Sequence, residues 1–389
     1  MELCEIAQAL GITEYPDALE EIYRNPEQWN ADFCNEAQIS NLQQSLNLLG
    51  THCADVLEAA RRLRQKPACF CWGQIVSTYL SRATLEEANA LPMPGEDVHG
   101  GALPLLVLLT QIPAAVHEYS RRGFSMDEIR QTLRPYANLI GEVRERTGVV
   151  GIGPYFRWLC LYIKCRIFAF DGFEFDVRTL PEGCVILKNR QTGEAVALMD
   201  RMTLHKSGMV LGSAGCEAPE DSRTPVFEET GDGFYGCPAI RGKADGPVVY
   251  YPKDQWRVAL RPGEPVLSVH LPKGSDLSAR HLDSAFCRVL EKLRLHYPEV
   301  TVRAFHCWSW LLDPVLEEIL GPDSKITRFA SRFIRFPVKS DGMDVFTFVF
   351  PPNITDLNAL PENTRLERGL KKQYLSGGYV YDFGGVILL

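Results

Sequence analysis

The stretch VLSVHLPKGSDLSARHLDSAFCRVLEKL, residues 266–293, decides the fold. VLSVHL reads as a strand, and PKGSD as a tight loop carrying Lys273, Gly274, Ser275 and Asp276. Ser278 can cap a helix in which Leu282, Ala285, Phe286, Val289, Leu290 and Leu293 recur at helical spacing. A strand that feeds a helix through such a loop leaves backbone N–H groups free at the helix start. Those groups bind phosphate oxygens, helped by the helix dipole. Lys273 adds positive charge and Gly274 permits close backbone approach, whereas Asp276 would repel an anion. Taken alone, the same pattern also describes an ordinary strand-to-helix connection.

Moving downstream, residues 300–307 read as a second strand. Alternation puts Val302, Ala304 and His306 on one face, with Arg303, Phe305 and Cys307 on the other. His306 lies near the end of this strand, beside a neighbouring strand that ends at His270. Both are candidate general bases, because an imidazole titrates near neutral pH. A histidine packed at a sheet edge is the competing reading. Cys307 cannot pair with the adjacent His306, so a cysteine hydrolase would need His270 on the same face. Ser309 is either a hydroxyl donor or a turn residue, and Trp308 and Trp310 are core or pocket wall. Asp313 and Pro314 open a short helix that ends before Gly321, with Asp313 as its N-cap. Residues 329–338 and 345–350 read as two further strands.

Moving upstream, the hydrophobic period switches near residue 168. Before it the pattern is helical: residues 17–23, 36–50, 55–64, 103–121 with a kink at Pro113, and 155–165. Ser125 and Glu128 form a capping box that opens a helix running to Arg146. Residues 67–78 have no clear reading, and 91–101 read as a loop. After the switch, 168–177 alternate with period 2. Residues 184–188 and 195–199 flank a turn at Gly193 and predict a hairpin. Residues 202–212 add a possible strand, 213–247 a loop-rich acidic insertion, and 254–260 a strand or helical turn.

Composition narrows the function. Of 389 residues, 41 are Lys or Arg and 49 Asp or Glu, a net charge of -8. That balance disfavours nucleic-acid binding, which needs a basic face. The N-terminus has neither a basic region nor an apolar run of signal-peptide type. The longest apolar stretch, 102–112, is about half of the ~20 residues a bilayer span requires. A soluble, cytoplasmic protein without membrane contact is expected. The 12 cysteines are scattered. Cys69 and Cys71 form the one close pair, so free thiols and no metal site are expected. P-loop, Gly-x-Gly-x-x-Gly and His-Glu-x-x-His motifs are absent. Gly151-Ile-Gly153 is followed by Pro154, which is too little for a dinucleotide site. Asn353-Ile-Thr355 matches a glycosylation acceptor only formally, given no secretion signal.

Several segments resemble a group of bacterial proteins with a helical N-terminal domain and a GNAT-like acyltransferase C-terminal domain. They are VLSVHLPKGSDL (266–277), CWSWLLDPVLEEIL (307–320), PDSKITRFASRF (322–333), RWLCLYIKCRIFAFDGFEF (157–175), WRVALRPGEPVLSVHLP (256–272) and LPENTRLERGLKKQYLSGG (360–378). The resemblance runs from about residue 103 onward, and SWLLDP is its most specific piece. It implies an α/β (α+β) fold: a helical N-terminal domain, residues 1–150, followed by a GNAT-like mixed β-sheet flanked by helices, residues 151–389. In that superfamily two parallel strands splay apart and acyl-CoA or acetyl-CoA sits in the gap. The resemblance implies that the strand bearing Val269 and Leu271 pairs with the pantetheine arm. Lys273, Gly274 and Ser275 would hold the pyrophosphate. An amine of a small molecule or peptide would attack the thioester, with His306 and His270 as candidate bases and Ser309 as proton donor to the leaving thiolate. The usual Gln/Arg-x-x-Gly-x-Gly/Ala loop is replaced here by Pro272-Lys-Gly-Ser-Asp276. The superfamily's general-acid Tyr has no counterpart near residues 313–320.

Overall fold

The computed structural model of the chain describes residues 2–94, 101–351 and 356–389. The formal Asn353 acceptor and most of the 91–101 loop lie outside the described residues. The chain forms two compact units, Met1–Phe170 and Asp171–Leu389. The boundary read from sequence fell earlier, after Val150.

The first unit is helical. Asn35 caps helix Glu36–Leu46 by accepting the N–H groups of Ala37 and Gln38, and Asn47 ends it in the left-handed region. The helix therefore stops short of Gly50. Residues with no clear reading become helix Pro67–Arg82, whose buried positions run nearly all round it and hide its period. A Cβ on Gly73 would stand 2.0 Å from the Phe33 ring, so only glycine fits that crossing. The expected kinked helix at 103–121 is two helices, Ala102–Leu109 and Ile112–Arg121, bent by 42°. Pro113 lies in the first turn of the second, where its missing N–H matters least. Likewise Pro135 divides the helix after Ser125 into Met126–Leu133 and Pro135–Thr147. Among the described residues no single helix is long and apolar enough to cross a membrane. Tyr119 lies buried in this unit and donates its hydroxyl to the Ile167 carbonyl at 2.6 Å.

The strands are β1 (Ile167–Phe170), which ends the first unit, then β2 (Phe173–Thr179), β3 (Cys184–Asn189), β4 (Ala195–Met199), β5 (Leu204–His205), β6 (Ser222–Arg223), β7 (Glu228–Glu229), β8 (Gly233–Pro238), β9 (Val249–Pro252), β10 (Trp256–Leu260), β11 (Pro265–His270), β12 (Ala304–Ser309), β13 (Ile334–Pro337) and β14 (Phe383–Leu388). The main sheet of the second unit runs β2-β11-β12-β14-β13. Only the central pair, β11 with β12, is parallel; the others are antiparallel. A second sheet runs β10-β3-β4-β8-β7, with β9 beside β8. Ile186, Ala197 and Leu260 of the second sheet share a core with Val266, Ala304 and Val386 of the first.

Helix Ala279–His296 covers the opposite face of the main sheet. Phe286 stacks on Phe305 at 4.5 Å and meets Phe173 and Phe175 edge-on. The strand expected at 329–338 is helix Lys325–Ala330 followed by the shorter β13, and that at 345–350 is helix Asp344–Phe348. Val345 is apolar because it packs with Trp310, Leu316 and Leu370, not because it lies in a sheet. The possible strand at 202–212 shrinks to β5, and the insertion at 213–247 contains β6, β7 and β8. Strand β14 carries two glycines that give it a loop-like sequence. A Cβ on Gly384 would stand 2.2 Å from the Phe336 ring, so close strand packing requires the glycine.

Candidate active site

The site is built on the parallel pair. Strands β11 and β12 align at Val266–Ala304, Leu267–Phe305 and Ser268–His306, and there the pairing ends. Beyond that point β11 stays with β2, through Val269–Phe175 and His270–Glu174. In the same way β12 stays with β14, through Cys307–Gly385, Trp308–Gly384 and Ser309–Phe383. The two strands therefore part after Ser268 and His306, and each keeps its outer partner.

Register fixes which side chains share a face. Asp176, Ser268, His306 and Val386 form one row across four strands, on the face away from helix Ala279–His296. The aromatic side chains Phe173, Phe175 and Phe305 alternate onto the helix face. The polar row is buried: Asp176 and Ser268 are each 1% exposed and His306 is 0% exposed. Polar groups at that depth need partners. Ser268 Oγ lies 3.0 Å from His306 Nδ1. Asp176 accepts from Arg178 Nε at 2.6 Å and lies 3.9 Å from His270 Nε2. His306 Nε2 is buried and has no hydrogen-bond partner among the described residues.

These contacts set the protonation states. Burial lowers His306 to about 3, reinforced by the neighbouring Arg178 and His270 charges. His306 is therefore neutral at pH 7. Burial also lowers His270, against the pull of Asp176. For Asp176 burial pushes the carboxyl up, but His270 and the Arg178 guanidinium more than reverse it, so it stays ionised. Ser309 lies on the helix face, opposite to His270 and His306, and its Oγ accepts the Leu311 N–H at 3.1 Å. Trp308 stands on the polar-row face, 45% exposed, whereas Trp310 is buried. Cys307 faces the helix side, and burial raises its thiol to about 12, which removes the nucleophile a cysteine hydrolase would need.

The loop after β11 is exposed. Gly274 is left-handed, with a φ of 90°, and nothing lies within 4 Å of a Cβ built on it. Ser275 hydrogen-bonds the Gly172 carbonyl at 2.8 Å, which ties the loop to the start of β2. Asp276 accepts from the Ser278 N–H at 3.0 Å and from Lys325 Nζ at 3.1 Å. Its carboxyl is held at about 2, chiefly by the Ser278 backbone N–H. So Asp276, an apparent repellent of anions, is engaged in fixing the helix start. Val269 is buried on the helix face of β11, and Leu271 follows the strand's last residue.

Of the residues singled out from sequence, His270 and His306 come together on one face and Ser309 lies across the strand. Sequence reasoning missed Asp176, Arg178 and Ser268. The signal was present in part, because FEFDVRT alternates aromatic with charged residues. Which strand those charges would face was not readable from it.

A family model described as a GNAT-like C-terminal domain matches residues 191–387. Among solved structures, the chain is similar along its whole length to an acyltransferase mutant in complex with octanoyl-CoA, at 19% identity and a TM-score of 0.67, covering 100% of both chains. It is similar over the same extent to an acyltransferase in complex with decanoyl-CoA and teicoplanin, at 18% identity and a TM-score of 0.66. A third, an acyltransferase in complex with CoA and 10C-teicoplanin, also covers 100% of both chains, at 18% identity and a TM-score of 0.65. No curated protein matches the sequence.

Proposed function

The chain belongs to the family defined by a GNAT-like C-terminal domain, and from that premise we propose that it is an acyl-CoA-dependent N-acyltransferase. It moves an acyl group from acyl-CoA to an amine of a small molecule or peptide. The observation that carries this reading is the parting of β11 and β12 after Ser268 and His306. Two strands that separate while keeping their outer partners leave unpaired backbone donors and acceptors facing the gap, which suit an amide-rich pantetheine arm. The exposed Lys273–Gly274–Ser275 turn before helix Ala279–His296 suits the pyrophosphate. Solved structures of the same fold include acyltransferases in complex with octanoyl-CoA and with decanoyl-CoA, which supports a medium-chain donor. The presence of teicoplanin in one of them supports a peptide-like acceptor.

The acceptor amine attacks the thioester carbonyl carbon, and a C–N bond forms as the carbonyl electrons move to oxygen. The amine loses a proton to His270, whose ring stands near the ionised Asp176. The oxyanion electrons return to re-form the carbonyl as the C–S bond breaks, and the leaving thiolate takes a proton from water, directly or through Ser309, whose hydroxyl regains that proton from water. Because Ser309 and His270 lie on opposite faces, the leaving sulfur and the acceptor amine would be served from different sides of the sheet. The 12 free thiols fit a reducing, cytoplasmic setting.

A second reading, a non-catalytic module that binds acyl-CoA, is favoured by one observation. The loop lacks the superfamily's glycine pattern and carries Asp276 at the helix start. Thermal melting with CoA, acetyl-CoA and longer acyl-CoAs tests both, since a ligand of the native state raises the melting point by mass action. A rise with a chain-length preference is expected, followed by release of free CoA thiol when an amine is added. A rise without thiol release from any amine supports the binding module. No rise with any acyl-CoA rejects both.

A further inference from the structure

We infer that His306 is a catalytic hydrogen-bond donor, its Nε2–H aimed at the thioester carbonyl oxygen, and not the base that takes the amine proton. This deepens the acyltransferase reading and rests on it. Three observations carry it.

The first is position. His306 and Ser268 form the last aligned pair before β11 and β12 part, so His306 is the residue of β12 that borders the gap. The second is the tautomer. Among the described residues Ser268 Oγ pairs with His306 Nδ1 at 3.0 Å. A buried hydroxyl hydrogen seeks an acceptor, and Nδ1 is the acceptor within reach. Nδ1 then carries no proton, and in a neutral ring the proton is on Nε2. The third is the orphan itself. Nε2 is buried and has no partner among the described residues, in a ring that is 0% exposed. A buried N–H without an acceptor is destabilising, so Nε2–H is free to pair with a ligand atom.

The base role fits less well. Burial and the nearby Arg178 hold the imidazolium form far out of reach at pH 7. A neutral donor has no such requirement: as the amine attacks, negative charge grows on the carbonyl oxygen, and a fixed N–H in a dry site stabilises it. The proton count of the reaction is unchanged, because Nε2–H lends a hydrogen bond and keeps its proton. The neighbouring titratable groups on β2 and β11 are Glu174, Asp176, Arg178 and His270, so the amine proton has another destination.

Two experiments on the full chain test this. Nitrogen-15 NMR of the imidazole side chains reads the tautomer; a neutral His306 ring with its proton on Nε2 is expected at pH 7. A proton on Nδ1, or a charged ring at pH 7, overturns the inference. The second experiment uses thiol release with the acyl-CoA that gives the largest melting shift. His306→Gln keeps an N–H near the Nε2 position and cannot act as a base, whereas His306→Leu keeps neither. Retention of kcat within about tenfold by the Gln variant is expected, with a loss of ~10²–10³ in the Leu variant and little change in KM for either. Equal inactivity of both variants, in an active wild-type background, overturns the donor role alone. Wild-type protein that neither binds acyl-CoA nor releases thiol overturns the acyltransferase reading and the inference with it.

Discussion

Asp176 carries an unusual load for a single side chain. It is 1% exposed, charged, and faces both Arg178 and His270. Breaking a buried ion pair from one side leaves the other charge without compensation, which typically destabilises by ~3–5 kcal/mol. Arg178 is 35% exposed and can recover some hydration, so Asp176→Asn is expected to lose about 3 kcal/mol in a urea titration, the low end of that range. A loss under about 1 kcal/mol would show that the pair is solvated in solution. Gly274 poses a different test. Its left-handed φ, with open space around it, means that Gly274→Val is opposed by backbone strain of about 1–2 kcal/mol and not by a clash. The variant should fold and bind acyl-CoA more weakly, because a turn that relaxes out of the left-handed conformation re-aims the backbone N–H groups that suit the pyrophosphate. An unchanged dissociation constant would remove the turn from the binding site. For the thiols, iodoacetamide should label the exposed Cys4 and Cys287 in the native protein, and the buried Cys307 only after unfolding. Native labelling at Cys307 would reopen the hydrolase reading.

At the scale of elements, helix Ala279–His296 and β12 hold each other through rings. Phe286 meets Phe305, Phe173 and Phe175, which join β2 and β12, the strands on either side of β11, to the helix. Phe286→Ala would leave a cavity at that junction and is expected to lose about 3–5 kcal/mol by chemical denaturation. A loss much below that would mean that the helix collapses into the space. The junction also explains why the strands can part. A parallel pair is stable only while something holds each member, and here β2 holds β11 and β14 holds β12. The gap therefore needs no unsatisfied strand at its outer sides. Glycines 384 and 385 in β14 let Phe336, Phe333 and Leu312 pack against that strand, which supports β12 from beyond.

Across the whole molecule, buried ionisable groups give stability opposing pH dependences. His306 has a folded value of about 3, below its ordinary 6.5, so the unfolded chain binds the extra proton. Its contribution is complete above the ordinary histidine value and is lost as pH falls through about 3. Asp344 is the reverse case. Burial and the adjacent Asp382 raise it to about 7 from the ordinary 3.8, so the folded chain binds the extra proton. Its contribution is complete below the ordinary aspartate value and is lost as pH rises through about 7. Asp344→Asn removes that alkaline decline. The variant should therefore lose less melting temperature than wild type between pH 5 and pH 8, and an equal or larger loss would show that Asp344 is ionised throughout.

What the sequence determined by itself is local. The period of Leu282, Phe286, Val289 and Leu293 announces helix Ala279–His296, and Ser125 with Glu128 announces a capped start. The alternation in 266–270 announces β11. These signals depend on side chains that repeat along one element, so they survive without knowledge of neighbours. Tertiary structure decided what depends on which elements meet. Residues 345–350 carry an apolar run that suits either strand or helix, and the pocket around Trp310 and Leu370 selected the helix. The glycines of β14 look like a loop until the Phe336 ring lies against them. The site follows the same rule. His270 and His306 were visible as residue types at strand ends. Asp176 and Ser268 became part of the site only because β2, β11 and β12 share a register. Register is set by cross-strand packing and burial, which a single strand's sequence does not contain.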